Sequence, residues 1–235
     1  MQSQLAAAGL EVTPGNFDAA LWIGGGGDLR QWPGYEEGRW SVQDESAMHA
    51  SALLAPMAGE RILDLCAAPG GKTAHLAELS GGQAEITACD VSPQRLRRIE
   101  HTVERLQLPN VVTKLIDRTN PGLEDDSFDA VLVDVPCSNS GVLARRPEAR
   151  WRFREVDLPE LIQLQTRLLL TAASAVKPGG RIVYSTCSIE PDETTTLLED
   201  VTRGIRGLSL VEDHLDLPGS PADGAFRALL VKDGS

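Results

Sequence analysis

The chain has 235 residues, 42% hydrophobic and 24% charged, with 34 acidic against 22 basic side chains and a formal net charge of −12. That length accommodates one α/β domain with a substantial core and a modest extra segment, while the acidic balance argues against a surface that binds nucleic acid everywhere by phosphate neutralisation. No apolar run approaches the roughly 18 residues of a membrane span, and the first residues lack the basic and apolar blocks of a signal peptide, so a cytoplasmic protein without membrane contact is expected.

From Met1 to about Trp40 the periodicity is weak. Gly24 to Gly27 is a four-glycine loop and Pro33-Gly34 a further turn, which predicts a glycine-rich hairpin rather than a long helix. Five of the ten aromatic residues lie here, Phe17, Trp22, Trp32, Tyr35 and Trp40. Such rings either stack on unpaired bases or form the small core of an appendage on the main domain. Residues 1–42 are accordingly read as a short N-terminal appendage and residues 43–235 as the main domain. Val42 to Leu54 has helical character, with Asp44 as its cap.

Ile62, Leu63 and Leu65 predict a buried strand, Pro69-Gly70-Gly71 a turn, and Thr73 to Leu79 a helix. Ile86 to Asp90 is the second strand. Ser92 and Pro93 open a helix running to about Leu106. Val111 to Ile116 and Ala130 to Val133 are the third and fourth strands. A long helix from about Leu158 to Val176 ends at Pro178-Gly179-Gly180. Arg181 to Ser185 is the fifth strand, Asp192 to about Ile205 another helix, and Leu208 to Val211 and Ala225 to Val231 the last two strands. Strands alternating with helices imply a mainly parallel seven-stranded sheet covered on both faces, with ligands bound beyond the carboxyl ends of the strands.

The loop from Asp64 to Thr73 sits at such an end. Its Gly71-Lys72-Thr73 triplet does not make a phosphate-binding P-loop, because that motif needs a glycine where Cys66 stands. The three-glycine dinucleotide pattern is absent too. Asp90, roughly 20 residues beyond the loop, is placed to take the two hydroxyls of a ribose, so the ligand is expected to carry a nucleoside. Asp64, Asp90, Asp117, Asp134 and Cys187 all stand at or just after strand ends.

The four cysteines, Cys66, Cys89, Cys137 and Cys187, have neither zinc nor disulfide spacing. No metal site is expected. A free cysteine is ordinarily a small buried apolar residue, and Cys66 and Cys89 fit that role. Cys137, in Asp134-Val135-Pro136-Cys137-Ser138, and Cys187, in Ser185-Thr186-Cys187-Ser188, fall on the ligand edge of the sheet. Arg145, Arg146, Arg150, Arg152 and Arg154 lie within ten residues that hold one acid, Glu148. That run, with Trp151 and Phe153 inside it, is either a solvated loop or a local basic patch.

Three segments, Asp64 to Thr73, Asp134 to Ser138 and Ser185 to Ile189, occur together and in order. In this they resemble the NOL1/NOP2/Sun family of RNA (cytosine-5) methyltransferases, including its bacterial RsmB- and RsmF-like members. The resemblance covers about Gln43 to Val231, and Asp223-Gly224-Ala225-Phe226 looks like the family's closing strand, which makes a complete catalytic domain the expectation. It implies a Rossmann-like S-adenosylmethionine-dependent methyltransferase fold. Cys66, Ala67, Ala68, Pro69, Gly70, Gly71 and Lys72 would wrap S-adenosylmethionine. Asp90, with Arg95 beside it, would hold the ribose, Asp117 would lie near the adenine and Asp134 near the reacting end. Cys187 matches the family's nucleophile and Cys137 its second cysteine, associated with product release.

The chemistry explains why a cysteine is needed. C5 of cytosine is a poor nucleophile, and a thiolate adding at C6 makes it electron-rich enough to take a methyl group. Asp134 is a candidate proton donor to N3, and Lys72 a cation that keeps a nearby thiol ionised. The target base must leave its stack, and Arg145, Arg146, Arg150 and Arg152 are candidate RNA contacts. The expected substrate is RNA, rRNA before tRNA, and the expected form a monomer. Residues 134–141 depart from the commoner family form, Asp-Ala-Pro-Cys-Ser-Gly-Thr-Gly, at Val135, Asn139 and Ser140. The front of the chain is also too short for the RNA-binding domain many relatives carry. Two rival readings are a methyltransferase of another substrate and a non-catalytic RNA-binding or ribosome-assembly protein retaining the fold. The paired cysteines weigh against the first; intact Lys72, Asp134, Cys137 and Cys187 weigh against the second.

Overall fold

The computed structural model describes residues 1–152, 154–219 and 222–234. A short helix α1 (Gln2–Ala7) leads into an antiparallel hairpin, β1 (Glu11–Pro14) with β2 (Leu21–Gly24), registered from Glu11 opposite Gly24 to Pro14 opposite Leu21. The hairpin is as expected, but the four-glycine run follows it instead of forming its turn. Past the glycines, Trp32, Tyr35 and Trp40 cluster, with ring centroids 5.2 Å apart for Tyr35 and Trp40. The Arg105 guanidinium lies 3.9 Å from the Tyr35 ring centre and donates to the carbonyls of Tyr35 and Trp40. Phe17 packs on His49 and His75. Phe17, Trp32, Tyr35 and Trp40 each pack on another ring of the chain.

Helix α2 (Glu45–Leu54) starts where Asp44 accepts from Ser46 N, the cap read from the sequence. The main domain then runs β3 (Arg61–Leu65), α3 (Gly71–Leu79), β4 (Glu85–Asp90), α4 (Pro93–Arg105), β5 (Val111–Leu115) and β6 (Phe128–Asp134). It continues with α5 (Ala149–Arg152), α6 (Leu158–Ala175), β7 (Val176–Thr186), α7 (Thr195–Gly204), β8 (Leu208–Asp216) and β9 (Ala225–Lys232). Ser92 caps α4 through Arg95 N, with Pro93 at the first position. The sequence places the turn after α6 at Pro178 to Gly180; these residues instead extend β7, with a register shift between Phe128 and Ala130 of β6 accommodating them.

The seven strands take the order β5-β4-β3-β6-β7-β9-β8, parallel from β5 to β7, with β9 antiparallel to both its neighbours. Side chains alternate across the sheet. Ile62, Leu132 and Val183 join Leu54, Leu76 and Ile99 beneath α2, α3 and α4. Leu63, Val133 and Tyr184 join Leu169, Leu198 and Phe226 on the side of α6 and α7. Strand order reverses between β3 and β6, because the chain first builds outward to β5 and then returns. Loops on either side of that point diverge and leave a crevice, the place such sheets bind ligands.

Candidate active site

The β3–α3 loop forms one wall of the crevice. Cys66 has φ +60° and Gly70 φ +104°, so the backbone turns back sharply before α3. A Cβ on Gly70 would lie 3.2 Å from Cβ of Thr102, whose hydroxyl already donates to Pro69 O at 2.9 Å. Glycine there lets the loop seat on α4. The first N–H groups of α3 have no partner within the helix and face the region beyond the strand ends.

Two buried carboxylates close the strands beneath this loop. Asp64, fully buried, accepts from Thr73 Oγ1 at 2.6 Å and leaves Oδ1 without a donor. Burial raises its carboxyl to about 7. Asp90 is 1% exposed; its Oδ1 accepts from Ser92 N. Arg95 Nε stands 3.1 Å from Asp90 Oδ2, too poorly aligned to hydrogen-bond it. Asp117 is exposed and turns into its own loop, accepting from Thr119 N at 2.7 Å and Asn120 N at 3.1 Å. Those bonds, with the Thr119 hydroxyl foremost, hold its carboxyl below the usual range.

Across the crevice, Lys72 Nζ donates to Asp134 Oδ2 at 2.8 Å. Burial alone would lower the lysine, but the charge and hydrogen bond of Asp134 leave it above its ordinary value, and Lys72 is an ammonium. Cys137 Sγ and Cys187 Sγ lie 3.1 Å apart, and Cys187 Sγ also reaches Asn139 Oδ1 at 3.2 Å. The two thiols act as one acid. An S–H from Cys187 onto Cys137 holds Cys137 below the ordinary thiol value and pushes Cys187 above it; Lys72 pulls Cys187 back down. Cys66 and Cys89 are pushed up to about 12, chiefly by burial.

Several residues that sequence reasoning missed hold the two cysteine loops together. Gly141 N donates to Cys187 O at 3.0 Å and Gly224 N to Gly141 O at 2.9 Å. Ser188 Oγ lies 3.1 Å from Ser138 Oγ and 3.2 Å from Ser140 Oγ. Glu193, fully buried, accepts from Ser138 N, Ser138 Oγ and Gln165 Nε2. Ser138 and Asn139 adjoin Cys137 and were findable by proximity. Nothing in the local pattern marks Gln165 or Glu193.

The basic run divides. Arg145 turns to Asp44 and to Asp223, the latter 3.6 Å away. Arg146 lines a cleft of about 630 Å³ that reaches Cys137 and Asn139, with Arg118 and Arg167 on its other walls and Glu148, Asp157 and Glu160 among them. Arg150 is exposed and Trp151 is 83% exposed. Phe153 and the side chain of Arg152 lie outside the described residues. Among the described residues no helix is long and apolar enough to cross a membrane, and no group of three or more His, Cys, Asp or Glu could hold a metal ion.

A parallel sheet with a glycine loop at its reversal point, and β9 inserted antiparallel between β7 and β8, defines a protein of the Rossmann-like S-adenosylmethionine-dependent methyltransferase fold. Residues 51–217 match the family model for 16S rRNA methyltransferase RsmB/F, and the chain belongs to that family. It is 41% identical over 210 residues to ribosomal RNA small subunit methyltransferase B of Salmonella arizonae, covering 85% of this chain and 48% of that protein. It spans about half the length of the curated relatives it matches. The crystal structure of PH0851 superposes with a TM-score of 0.94 at 36% identity, over 98% of this chain and 56% of that one. NSun6 from Pyrococcus horikoshii, solved with SFG, gives 0.78 at 29% identity, over 89% and 57%.

Proposed function

We propose that this chain is the catalytic part of an RNA (cytosine-5) methyltransferase that modifies rRNA, using S-adenosylmethionine and a covalent adduct between Cys187 and C6 of the target cytosine. The observation that carries this reading is the Cys137–Cys187 pair beside the Lys72–Asp134 ion pair. Methyl transfer to an amine or hydroxyl needs no nucleophilic cysteine, whereas transfer to C5 of cytosine does.

The residues present fit the cofactor. Asp64 Oδ1 and Asp90 Oδ2 are buried acceptors lacking a hydrogen-bond donor beside the loop, and an added Cβ at Gly71 would meet nothing nearer than Gln43 at 3.9 Å. Residues 66–72 would wrap it, Asp90 and Arg95 would take the ribose, Asp117 the adenine side, and Asp134 the reacting end. When bound, S-adenosylmethionine supplies an electrophilic methyl group.

The chain's own groups move the protons. Cys187, its proton lost to solvent with Lys72 drawing the thiol down, bonds to C6 through Sγ as N3 of the base takes a proton from the Lys72–Asp134 pair. C5 becomes electron-rich and accepts the methyl group. Release then needs a base for the C5 proton. Cys137, as the thiolate, takes it while N3 gives its proton back and the Cys187–C6 bond breaks. Arg146, which lines the cleft, and exposed Arg150 would meet RNA backbone.

The test is to incubate Cys137→Ala with cofactor and cellular RNA and look for a protein–RNA adduct that survives denaturation. The adduct should vanish in the Cys137→Ala/Cys187→Ala double variant; persistence there would overturn Cys187 as the nucleophile. Bisulfite sequencing of rRNA and tRNA from cells lacking the gene then identifies the target.

A further inference from the structure

Glu193 is a carboxylate with no exposed surface, and the reaction above gives it nothing to do. It closes a short 3-10 turn (Pro191–Glu193). Among the described residues it has no cationic partner; neutral donors surround it instead. Oε1 accepts from Ser138 N at 3.0 Å and from Gln165 Nε2 at 2.8 Å, and Oε2 accepts from the Ser138 hydroxyl. Gln165 Nε2 also donates to Pro136 O at 2.9 Å, and Tyr184 Oη to the Glu193 carbonyl at 2.8 Å. Isolated buried charge is costly, and core stability alone would be served as well by a neutral side chain. The bonds converge on Pro136 and Ser138, the two neighbours of Cys137.

We propose that Glu193 is a positioning residue for Cys137: by gripping Ser138 directly and Pro136 through Gln165, it fixes the Cys137 thiol in contact with Cys187 for product release. Ser138 passes the constraint across to the second loop, since its hydroxyl also meets Ser188, the residue after Cys187. The negative charge of Glu193 acts on Cys137 as well, resisting ionisation of its thiol, which makes the Cys137 thiolate a stronger base for the C5 proton. This inference rests on the release role given to Cys137.

Glu193→Gln keeps the volume but turns one acceptor into a donor facing Ser138 or Gln165, and Ser138→Ala removes the hydroxyl link. With RNA and cofactor, both variants should transfer the first methyl group within about twofold of wild type. Each should turn over about tenfold more slowly and accumulate the denaturation-resistant adduct seen with Cys137→Ala. A purely structural role would depress first transfer, turnover and adduct together, in step with the folded fraction, and that result overturns the proposal, as does wild-type turnover in Glu193→Gln. A second readout needs no RNA: oxidation of the Cys137–Cys187 dithiol by diamide, followed by mass spectrometry. The disulfide should form several-fold more slowly in both folded variants than in wild type; equal rates refute the positioning role. If wild type and Cys137→Ala both fail to modify RNA while diamide rates still separate, the reading of the reaction fails and the positioning of Cys137 stands.

Discussion

Lys72 Nζ reaches Asp134 Oδ2 at 2.8 Å across 62 residues of sequence, linking the first turn of α3 to the end of β6. The lysine side chain is 17% exposed and the carboxylate 32%, so each offers its partner a proton or a charge within reach of the crevice. The pair straddles the point where the strand order reverses. It brings an ammonium close enough to draw down the Cys187 thiol.

In the reaction proposed above, Lys72→Met removes the proton source for N3 and the cation acting on Cys187. Single-turnover methyl transfer should fall by about 100-fold, while chemical denaturation should register a loss of about 1–3 kcal/mol from the orphaned carboxylate. A variant that keeps full single-turnover rate would remove Lys72 from the chemistry.

Asp64 carries a pH signature. Its folded-state carboxyl, near 7, lies above the ordinary value of 3.8, so between about pH 4 and 7 the folded chain holds a proton that the unfolded chain has released. This residue's contribution to stability is present at the acid end of that window and disappears as pH rises through it. Without cofactor, wild type should lose about 3 kcal/mol more than Asp64→Asn between pH 5 and pH 8 in urea melts. Parallel curves for the two proteins would contradict the assignment.

The four cysteines should differ sharply towards iodoacetamide at pH 8. Thiols raised to about 12, as Cys66 and Cys89 are, have only about one molecule in ten thousand ionised. Cys137, held below the ordinary value, should be alkylated first. Peptide mass spectrometry over a time course reads the order, and early labelling of Cys66 or Cys89 would count against it.

Arg181 makes two 2.7 Å bonds to the carboxylate of Glu60 and donates to the carbonyls of Leu54 and Ala55, where α2 ends in a left-handed residue. Arg181→Ala should cost about 3 kcal/mol by leaving a largely buried carboxylate unpaired. Glu60→Gln, which removes the charge but keeps the acceptor, should cost less. Equal losses would show that charge plays no part.

Gly141 is where the cysteine loops come closest. A Cβ there would lie 2.4 Å from Gly224 O and 2.8 Å from Cys187 O, so Gly141→Ala must push the loops apart. Thermal melts should show about 1–3 kcal/mol of destabilisation, and the Cys187–RNA adduct should be lost. An adduct formed at wild-type rate would show that the loops tolerate the separation.

The alternation of apolar strands with capped helices was legible in the chain, because the central strands β3 and β6 are buried on both faces and need a mostly apolar run such as Ala130 to Val133. Strand-end acids and the two separated cysteines were legible for a related reason: a parallel sheet delivers every strand's carboxyl end to one edge. The placement of Asp64, Asp90, Lys72, Asp134, Cys137 and Cys187 on that edge follows from sequence order alone. Which of them touch does not. The 3.1 Å approach of Cys137 to Cys187 depends on β6 and β7 pairing in register and on Gly141 admitting the second loop. The turning of Arg145 to Asp44 and Asp223 and the packing of Tyr35 against Arg105 are likewise contacts between segments distant in sequence. Glu193 is the clearest case. An acid in the run Glu190-Pro191-Asp192-Glu193 has every local mark of a solvated helix start, and only the convergence on its carboxylate of Ser138, from the loop after β6, and Gln165, from α6, makes its burial tolerable.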